Sequence, residues 1–300
     1  MALRSKAAGR STDISVRALG RDAQAAGRSF RASLPHAATN PGEAVNLIGD
    51  NPFRLDGEVA FITGGGTGLG LAIAQQMALA GAKVILAGRR AAVLKQAAVG
   101  IGPQAGAVVY DVTRVKSAAG VVLRAEALFG PITILVNNAG IHLKKPALET
   151  SDEDLLSVLK THVLGSHALT RAVLPGMLRR RHGSILFVAS MASLFGIPNV
   201  MAYATAKSAF LGMVRSLAVE VSPSGVRVNA IAPGWINTSM VRKAMDGDAT
   251  RKRRILSRTP LGRFGEAQDV GTAAVFLCSP AAKFITGAVL PVDGGVSVGF

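Results

Sequence analysis

From residue 58 onward, short apolar runs alternate with longer stretches of helical length. The apolar runs are rich in Val, Ile and Leu and lie at residues 59–63, 83–87, 107–110, 132–136, 184–189, 226–231 and 289–292. The helix-length stretches lie at residues 68–81, 90–100, 114–129, 152–181, 202–222 and 267–278. Strands that alternate with helices form βαβ units, whose crossover helices cover both faces of a parallel sheet. The pattern therefore predicts an α/β fold with a single doubly wound, parallel, seven-stranded sheet and helices on both faces.

Residues 1–52 differ in composition from the rest of the chain. They are rich in Ala, Ser, Gly and Arg, show no sustained apolar period, and contain breakers such as Pro41, Gly42 and Pro52. Because the stretch lacks the apolar core of a signal peptide, we predict a disordered basic extension before a folded domain at residues 53–300. An Arg- and Ser-rich leader with few acids is also typical of organellar presequences, so import into an organelle stays open beside a cytoplasmic location.

The composition excludes several classes of protein. Hydrophobic residues make up 49% of the chain and the mean hydropathy is +0.35, which excludes a disordered or fibrous protein. Charges such as Lys83, Arg124 and Glu126 interrupt the apolar runs before any reaches the roughly 18 residues that a membrane span needs. The one cysteine, Cys278, excludes an internal disulfide and a thiolate metal centre. His and carboxylate residues do not cluster in the sequence, so we predict no metal site. Because the apolar runs are interrupted, we predict no membrane segment either.

The charge is strongly basic, at +16 from 34 Lys and Arg against 18 Asp and Glu. A basic surface attracts nucleic acid or acidic small molecules. Aromatic residues are only 5% of the chain, and neither a recognition helix nor a zinc finger is visible. The charge therefore favours a solvated surface or an anionic small molecule over nucleic acid.

A glycine-rich turn follows the first predicted strand. The sequence there is Thr63-Gly64-Gly65-Gly66-Thr67-Gly68-Leu69-Gly70, and a helical stretch comes directly after it. Residues without a Cβ let the backbone turn tightly and approach a pyrophosphate, while the helix N-terminus offers unpaired N–H groups to the anion. The turn lacks the Gly-Lys-Ser/Thr ending of a P-loop. We therefore predict a dinucleotide site.

The end of the second predicted strand bears on which dinucleotide binds. Folds that prefer NAD place an Asp or Glu there to hold the ribose hydroxyls, whereas a nearby Arg suits a 2′-phosphate. Here Gly88 stands at the acid's position and Arg89 and Arg90 follow it. NADP(H) is therefore favoured, and NAD(H) remains possible.

Six motifs, in order over residues 55–300, resemble those of the short-chain dehydrogenase/reductase family. They are the glycine pattern from Thr63 to Gly70, Asp111 in Asp-Val-Thr, Asn137-Asn138-Ala139-Gly140, Tyr203-Ala-Thr-Ala-Lys207 with Ser190 thirteen residues earlier, Pro233-Gly234, and Val292-Asp293-Gly294-Gly295. The resemblance implies a Rossmann-type catalytic domain at residues 53–300 that interconverts a secondary alcohol and a ketone with NAD(P). The cofactor-binding residues that it implies are Thr63, Gly64, Gly66, Thr67, Gly68, Leu69, Gly70, Arg89, Arg90, Asp111, Val112, Asn138, Ala139, Gly140, Tyr203, Lys207, Pro233, Gly234, Ile236 and Thr238.

The physical chemistry of the implied catalytic residues agrees with that resemblance. Tyr203 and Lys207 are four residues apart in a helical stretch, so both project from one face. A phenol titrates near pH 10, and a neighbouring ammonium together with a positive nicotinamide would favour the phenolate. Tyr203 is then the predicted general acid/base, and Ser190, just beyond the fifth strand, is predicted to hold the substrate oxygen.

One position departs from the family pattern. The family usually has an Asn in the helix after the fourth strand, which anchors a water linked to the catalytic Lys, and His162 stands at that position here. An imidazole could hold such a water or relay protons. We include His162 as a candidate fourth catalytic residue, with main-chain substitution for the Asn or impaired activity as the alternatives.

The substrate is expected to contact the stretch from Trp235 to Arg263. It carries the basic residues Arg242, Lys243, Arg251, Lys252, Arg253, Arg254 and Arg258. A basic cover over the pocket would suit an anionic substrate such as a sugar acid. The chain is most similar to the gluconate 5-dehydrogenase-like branch, including Arg258-Thr-Pro-Leu-Gly262 and the ending Gly299-Phe300.

Alternatives to this interpretation remain open. A 3-oxoacyl thioester reductase shares the same motifs, and a catalytically silent dinucleotide-binding sensor is a candidate from a different class. Members of the family commonly pair their long helices, and residues 152–181 and 202–222 are long and apolar enough for a homodimer or homotetramer.

Overall fold

The computed structural model describes residues 51–238, 241 and 249–299, and the predicted strands form one sheet within them. The strands are β1 (Val59–Thr63), β2 (Lys83–Gly88), β3 (Ala105–Val109), β4 (Ile134–Asn137), β5 (Gly183–Val188), β6 (Val226–Pro233) and β7 (Val289–Val292). Their order is β3-β2-β1-β4-β5-β6-β7, and every neighbouring pair is parallel. The chain winds outward in both directions from the β1–β4 junction, which confirms the predicted doubly wound α/β sheet.

The predicted basic extension spans residues 1–52, of which residues 1–50 lie outside the described residues. Its last two predicted positions, 51 and 52, are described and are joined to the domain. The Pro52 carbonyl accepts a hydrogen bond of 2.9 Å from the main chain of Ala281, and the next residue, Phe53, has its ring centroid 6.1 Å from that of Phe276. The folded unit therefore includes residues 51 and 52.

The helices follow the strands in the order that the sequence predicts. They are α1 (Gly68–Leu79), α2 (Ala91–Ile101), α3 (Ala118–Phe129), α4 (Asp152–Leu159), α5 (Gly165–Arg180), α6 (Met201–Val221), α7 (Ala249–Ser257) and α8 (Ala267–Cys278). None of these described helices has the length and apolarity that crossing a bilayer requires.

The sequence shows residues 152–181 as a single helix-length stretch, whereas the structure divides it into two helices. Helix α4 begins with a capping box, in which Ser151 Oγ accepts from the Asp154 N–H and the Asp154 carboxylate accepts from the Ser151 N–H. A π-helical turn at Lys160–Leu164 then separates α4 from α5. Such turns carry one extra residue and are frequent at functional sites, and this one contains His162.

Alternation along the strands divides the core into two layers. In β1, Val59 and Phe61 face helices α3, α5 and α6, whereas Ala60 and Ile62 face α1, α2 and α8. In β5, Phe187 faces the first of these sets of helices and Leu186 faces the second. Because both faces are covered, the strands need apolar residues at every position, which explains why the sequence shows continuous apolar runs.

The carboxyl ends of β1 and β4 are locked together at the junction where the winding reverses. Thr63 Oγ1 accepts hydrogen bonds from the N–H groups of Asn138, at 2.9 Å, and Ala139, at 3.0 Å, and donates to the Val136 carbonyl at 3.2 Å. The Asn138 side chain returns a bond of 2.8 Å to the Thr63 carbonyl. In open α/β sheets this junction is where ligands bind, so these bonds fix the floor of the expected site.

Candidate active site

A cleft of about 600 Å³ opens at the carboxyl ends of the strands, over the β1–β4 junction. Its size lies within the range of small-molecule and cofactor sites. Of the residues that the sequence predicts for the site, those that line the cleft are Gly64, Gly66, Thr67, Gly68, Leu69, Gly70, Arg89, Arg90, Asp111, Val112, Asn138, Ala139, Gly140, His162, Ser190, Tyr203, Lys207, Pro233, Gly234, Ile236 and Thr238. Thr63 is the exception, since its buried side chain lies behind the wall and holds it together.

The glycine-rich turn forms a cradle that side chains would fill. Gly64 has a φ of +66°, a conformation that favours glycine. A Cβ on Gly70 would collide with the Gly64 carbonyl and would lie 2.5 Å from the Asn138 side-chain nitrogen. The N-cap of α1, Thr67, makes no side-chain hydrogen bond to the helix. The first turn of α1 therefore keeps N–H groups available to an anion.

The ends of β2 and β3 supply contrasting charges. Arg89 and Arg90 are exposed at the end of β2, and the Arg90 guanidinium donates to Thr67 Oγ1 at 3.5 Å. The Asp111 carboxylate accepts from the Thr113 N–H at 2.9 Å and from its hydroxyl at 2.8 Å. These bonds lower the pKa of Asp111 and keep it ionised. The end of β2 therefore presents the cations Arg89 and Arg90. Among the described residues, the carboxylate that lines the cleft is Asp111, which is held in place after β3.

Tyr203 and Lys207 project from one face of α6 into the cleft. The Lys207 amine is buried, donates to the Val188 carbonyl at 2.6 Å, and lies 5.7 Å from the centroid of the Tyr203 ring. Burial lowers the pKa of Lys207 to about 7. Among the protein's own groups, burial also raises the pKa of Tyr203, against a hydrogen bond with Ser190 that lowers it. Burial thus disfavours the charged forms of both Tyr203 and Lys207. The expected stabilisation of the Tyr203 phenolate therefore requires a positive charge other than those of the protein groups around it.

Ser190 follows β5 and is buried at the cleft wall. Its hydroxyl accepts a hydrogen bond of 3.1 Å from the Ala192 N–H and so caps a short 3₁₀ turn at Met191–Ser193. This bond orients Oγ while leaving its own proton available for a second acceptor. The structure therefore brings together Ser190, Tyr203 and Lys207 as the sequence predicts.

His162 lies under the same wall and is only 1% exposed. Its Nε2 is 2.8 Å from the Ile141 carbonyl oxygen and 3.1 Å from the Ile141 nitrogen, whereas Nδ1 is buried without a partner among the described residues. The ring meets the edge of Tyr203 at a centroid distance of 5.7 Å. Burial is the main cause that lowers the pKa of His162 to about 3, so the imidazole is neutral at physiological pH.

That neutrality limits what His162 can do chemically. A relay through an imidazolium is disfavoured, whereas either neutral tautomer can hold the main chain of Ile141, by donating to its carbonyl or by accepting from its N–H. An asparagine amide could make both bonds at once, and a single imidazole nitrogen can make only one. The geometry thus supports a positioning role for His162.

The sequence analysis leaves several residues that line the cleft unassigned, among them His142 and Lys144. His142 is exposed, and its ring centroid lies 4.9 Å from that of Tyr203. Both residues follow the Asn137–Gly140 motif, but the sequence alone does not indicate which positions after that motif line the cleft.

The expected basic cover is placed differently. Lys252, Arg253 and Arg254 are exposed on α7, and Arg258 is exposed after it, but none of them lines the cleft. Arg242 and Lys243 lie outside the described residues, as does the side chain of Arg251. Apolar side chains that line the cleft include Ile141, Met191, Ile197, Pro198, Val200, Trp235 and Val241.

Comparisons with known proteins agree with this site. A family model described as enoyl-(acyl carrier protein) reductase matches residues 64–297. The galactitol 2-dehydrogenase (L-tagatose-forming) of Cereibacter sphaeroides is 41% identical over 249 residues, which cover 82% of this chain and 97% of that protein. The chain belongs to the short-chain dehydrogenase/reductase family.

Other members of the short-chain dehydrogenase/reductase family show the range of relatives. The 3-oxoacyl-(acyl-carrier-protein) reductase FabG of Escherichia coli (strain K12) is 36% identical over 247 residues, which cover 81% of this chain and 98% of that protein. A solved gluconate 5-dehydrogenase from Burkholderia cenocepacia J2315, in complex with NADP and tartrate, matches with a TM-score of 0.79 and 32% identity, covering 83% of this chain and 98% of that one. The predicted family and enzyme class are confirmed.

As a short-chain dehydrogenase/reductase, the protein is an oxidoreductase with a nucleotide cofactor, and its own residues fit that group. A Cβ has no room at Gly64 or Gly70, and the first turn of α1 faces this cradle with N–H groups. Such a cradle suits a pyrophosphate. The described residues contain no group of three or more His, Cys, Asp or Glu able to hold a metal ion.

Proposed function

We propose that the enzyme interconverts a secondary alcohol and a ketone by hydride transfer, with Tyr203 as general acid/base. The observation that carries the proposal is the shared wall of the cleft, where Ser190, Tyr203 and Lys207 lie beside the glycine cradle. The nicotinamide, when bound, accepts or supplies the hydride. The chain's own residues then have to hold the substrate oxygen and move its proton.

The proposed steps follow from the contacts of these side chains. In alcohol oxidation the Tyr203 oxygen takes the hydroxyl proton, and in ketone reduction it returns one. Ser190 Oγ, oriented by the Ala192 N–H, donates to the substrate oxygen as negative charge develops there. Lys207, held by Val188, favours the phenolate of Tyr203 whenever its amine is protonated.

The experiment that tests the mechanism is Tyr203→Phe, assayed with both cofactors against a panel of keto acids, sugars and acyl thioesters. We expect kcat to fall by at least about 100-fold, the lower range of general acid–base catalysis, while dinucleotide binding persists. Lys116→Gln, an exposed residue that does not line the cleft, is the surface control. An unchanged kcat in Tyr203→Phe would refute the mechanism.

We further propose NADP(H) as the favoured cofactor, with NAD(H) possible. Support comes from the exposed cations Arg89 and Arg90 at the end of β2 and from Gly88, which leaves that strand end without a carboxylate. Comparison of kcat/KM for the two cofactors tests this proposal directly.

For the substrate we propose a small sugar acid of the gluconate type. The B. cenocepacia gluconate 5-dehydrogenase supports this class, as does the cationic Lys144 in the cleft. A 3-oxoacyl thioester is the second candidate, favoured by the E. coli relative and by apolar wall residues such as Met191 and Ile197. A silent dinucleotide sensor is a third candidate, suggested by His162 at the usual Asn position, and cofactor binding without turnover of any panel member would identify it.

The assembly and the location of the enzyme are also proposals. Apolar side chains are exposed along the stretch from α4 to α5 and on α6, with Leu156 on α4 at 64%, Leu164 before α5 at 51% and Val219 on α6 at 81%. Such a surface supports a homodimer or homotetramer. Light scattering after size-exclusion chromatography measures the number of subunits. A cytoplasmic location is tested by imaging the full chain against one that lacks residues 1–50.

A further inference from the structure

The segment at residues 141–145 supplies two polar side chains to the cleft. His142 and Lys144 are exposed and line the cleft. Ile141 also lines the cleft and, together with Leu143, packs against the small apolar cluster that includes Val158. The sequence Ile-His-Leu-Lys therefore places an imidazole and an ammonium on the cleft side.

This segment is pinned at both ends. At one end, the main chain of Ile141 is bonded to the buried His162 ring. At the other end, the Lys145 N–H donates to the Asn199 carbonyl at 2.8 Å, and the Lys145 ammonium pairs with Asp154 at 2.7 Å. Asp154 is itself fixed by the capping box of α4. The position of the segment relative to the cleft is thus set by three independent contacts.

The cation at Lys144 has no acidic partner among the described residues. Neighbouring Lys145 takes Asp154, and the carboxylate that lines the cleft, Asp111, lies at the end of β3 and is held by Thr113. An unmatched ammonium in a partly apolar cleft favours an anionic ligand. The wall formed by residues such as Met191 offers no competing anion.

The position of Lys144 relative to Tyr203 is limited by the position of His142. The His142 ring lies 4.9 Å from the Tyr203 ring, centroid to centroid. Lys144 stands two residues further along the chain, so its Cα lies at most about 7 Å from that of His142. An anionic group held by Lys144 would therefore lie in the same cleft as Tyr203, on a part of the substrate other than the carbon whose oxygen faces Tyr203 and Ser190.

We propose that Lys144, presented beside His142 on the pinned segment at residues 141–145, binds the carboxylate of a small hydroxy or keto acid. The proposal rests on the proposed function and narrows its substrate class to free acids whose carboxylate is remote from the reacting carbon. Lys144 is a specificity residue in this scheme, because it holds the distant end of the substrate while Tyr203 and Ser190 act on the near end.

The one tryptophan of the chain, Trp235, lines the same cleft and reports binding without turnover. We would titrate the full chain, in the presence of NADPH, with D-gluconate and with neutral D-gluconamide, and follow tryptophan fluorescence. Lys144→Met is expected to weaken gluconate binding by about 10- to 100-fold, the range of a charge-assisted hydrogen bond, and to leave gluconamide binding unchanged. Lys144→Arg should retain most of the affinity, and Lys116→Met should behave as wild type.

Turnover assays on the same variants separate this inference from the proposed function. If gluconate binds through Lys144 but no acid is oxidised or reduced, the proposed function fails and the carboxylate site stands. If acids are turned over and Lys144→Met changes neither KM nor Kd, the carboxylate site is refuted. A wild-type protein that binds no free acid but reduces acyl thioesters would also overturn it.

Discussion

Gly140 and His162 form a packing pair whose energy can be measured. A Cβ on Gly140 would lie 2.9 Å from His162 Nδ1 and 3.0 Å from Nε2, and still closer to Cε1. The ring cannot move aside, because Tyr203 and Phe210 flank it at centroid distances of 5.7 and 6.3 Å. Overpacking of this kind costs about 1–3 kcal/mol, so we expect Gly140→Ala to lower the free energy of unfolding by about 2 kcal/mol.

The assay is a double-mutant cycle by urea denaturation, with the wild type, Gly140→Ala, His162→Ala and the double variant. If the clash is with the ring, Gly140→Ala should cost less than about 0.5 kcal/mol in the His162→Ala background, which gives a coupling energy of about 1.5 kcal/mol. Gly100→Ala is the matched control, because nothing lies within 4 Å of its added Cβ and α2 should gain about 0.5–1 kcal/mol. Additive effects of the two substitutions would refute the assigned contact.

Two further predictions concern the cofactor preference and the loss of folding stability at low pH. A Cβ on Gly88 would lie 3.5 Å from Leu94, an ordinary contact distance, so the Gly88→Asp side chain should fit. We expect Gly88→Asp to weaken NADP⁺ binding relative to NAD⁺ binding by at least about 10-fold, the value of one charge-assisted contact. An equal effect of the isosteric Gly88→Asn would show that charge is not the cause. The depressed pKa of His162 means that the unfolded chain binds the extra proton first, so the stabilisation is present above pH 6.5 and is lost as the pH falls toward about 3. Urea titrations between pH 7 and pH 4 should show a smaller loss in His162→Asn, and parallel slopes for the two proteins would contradict the assignment.

The sequence predicts the fold well, because each strand is buried on both faces and so appears as an unbroken apolar run. The spacing of Tyr203 and Lys207 likewise predicts that they share one face of a helix, and the family resemblance adds Ser190. The sequence does not predict the π turn at Lys160–Leu164, because five residues are too few to distinguish its period from that of an α-helix. Nor does it predict Lys144, whose proposed role depends on which residues after the Asn137–Gly140 motif line the cleft.

The buried ring of His162 joins these parts into one unit. It fills the space that Gly140 leaves, contacts the edge of Tyr203, and holds the main chain of Ile141, from which the segment with Lys144 continues. An asparagine could satisfy both main-chain groups of Ile141, whereas the imidazole leaves Nδ1 unpartnered and contributes apolar contact with its neighbours. We therefore expect His162→Asn to preserve the position of residues 141–145. We expect His162→Ala, which frees the main chain of Ile141, to change the KM for substrate more than it changes cofactor binding. Equal losses of both would indicate general unfolding of the wall rather than positioning by the ring.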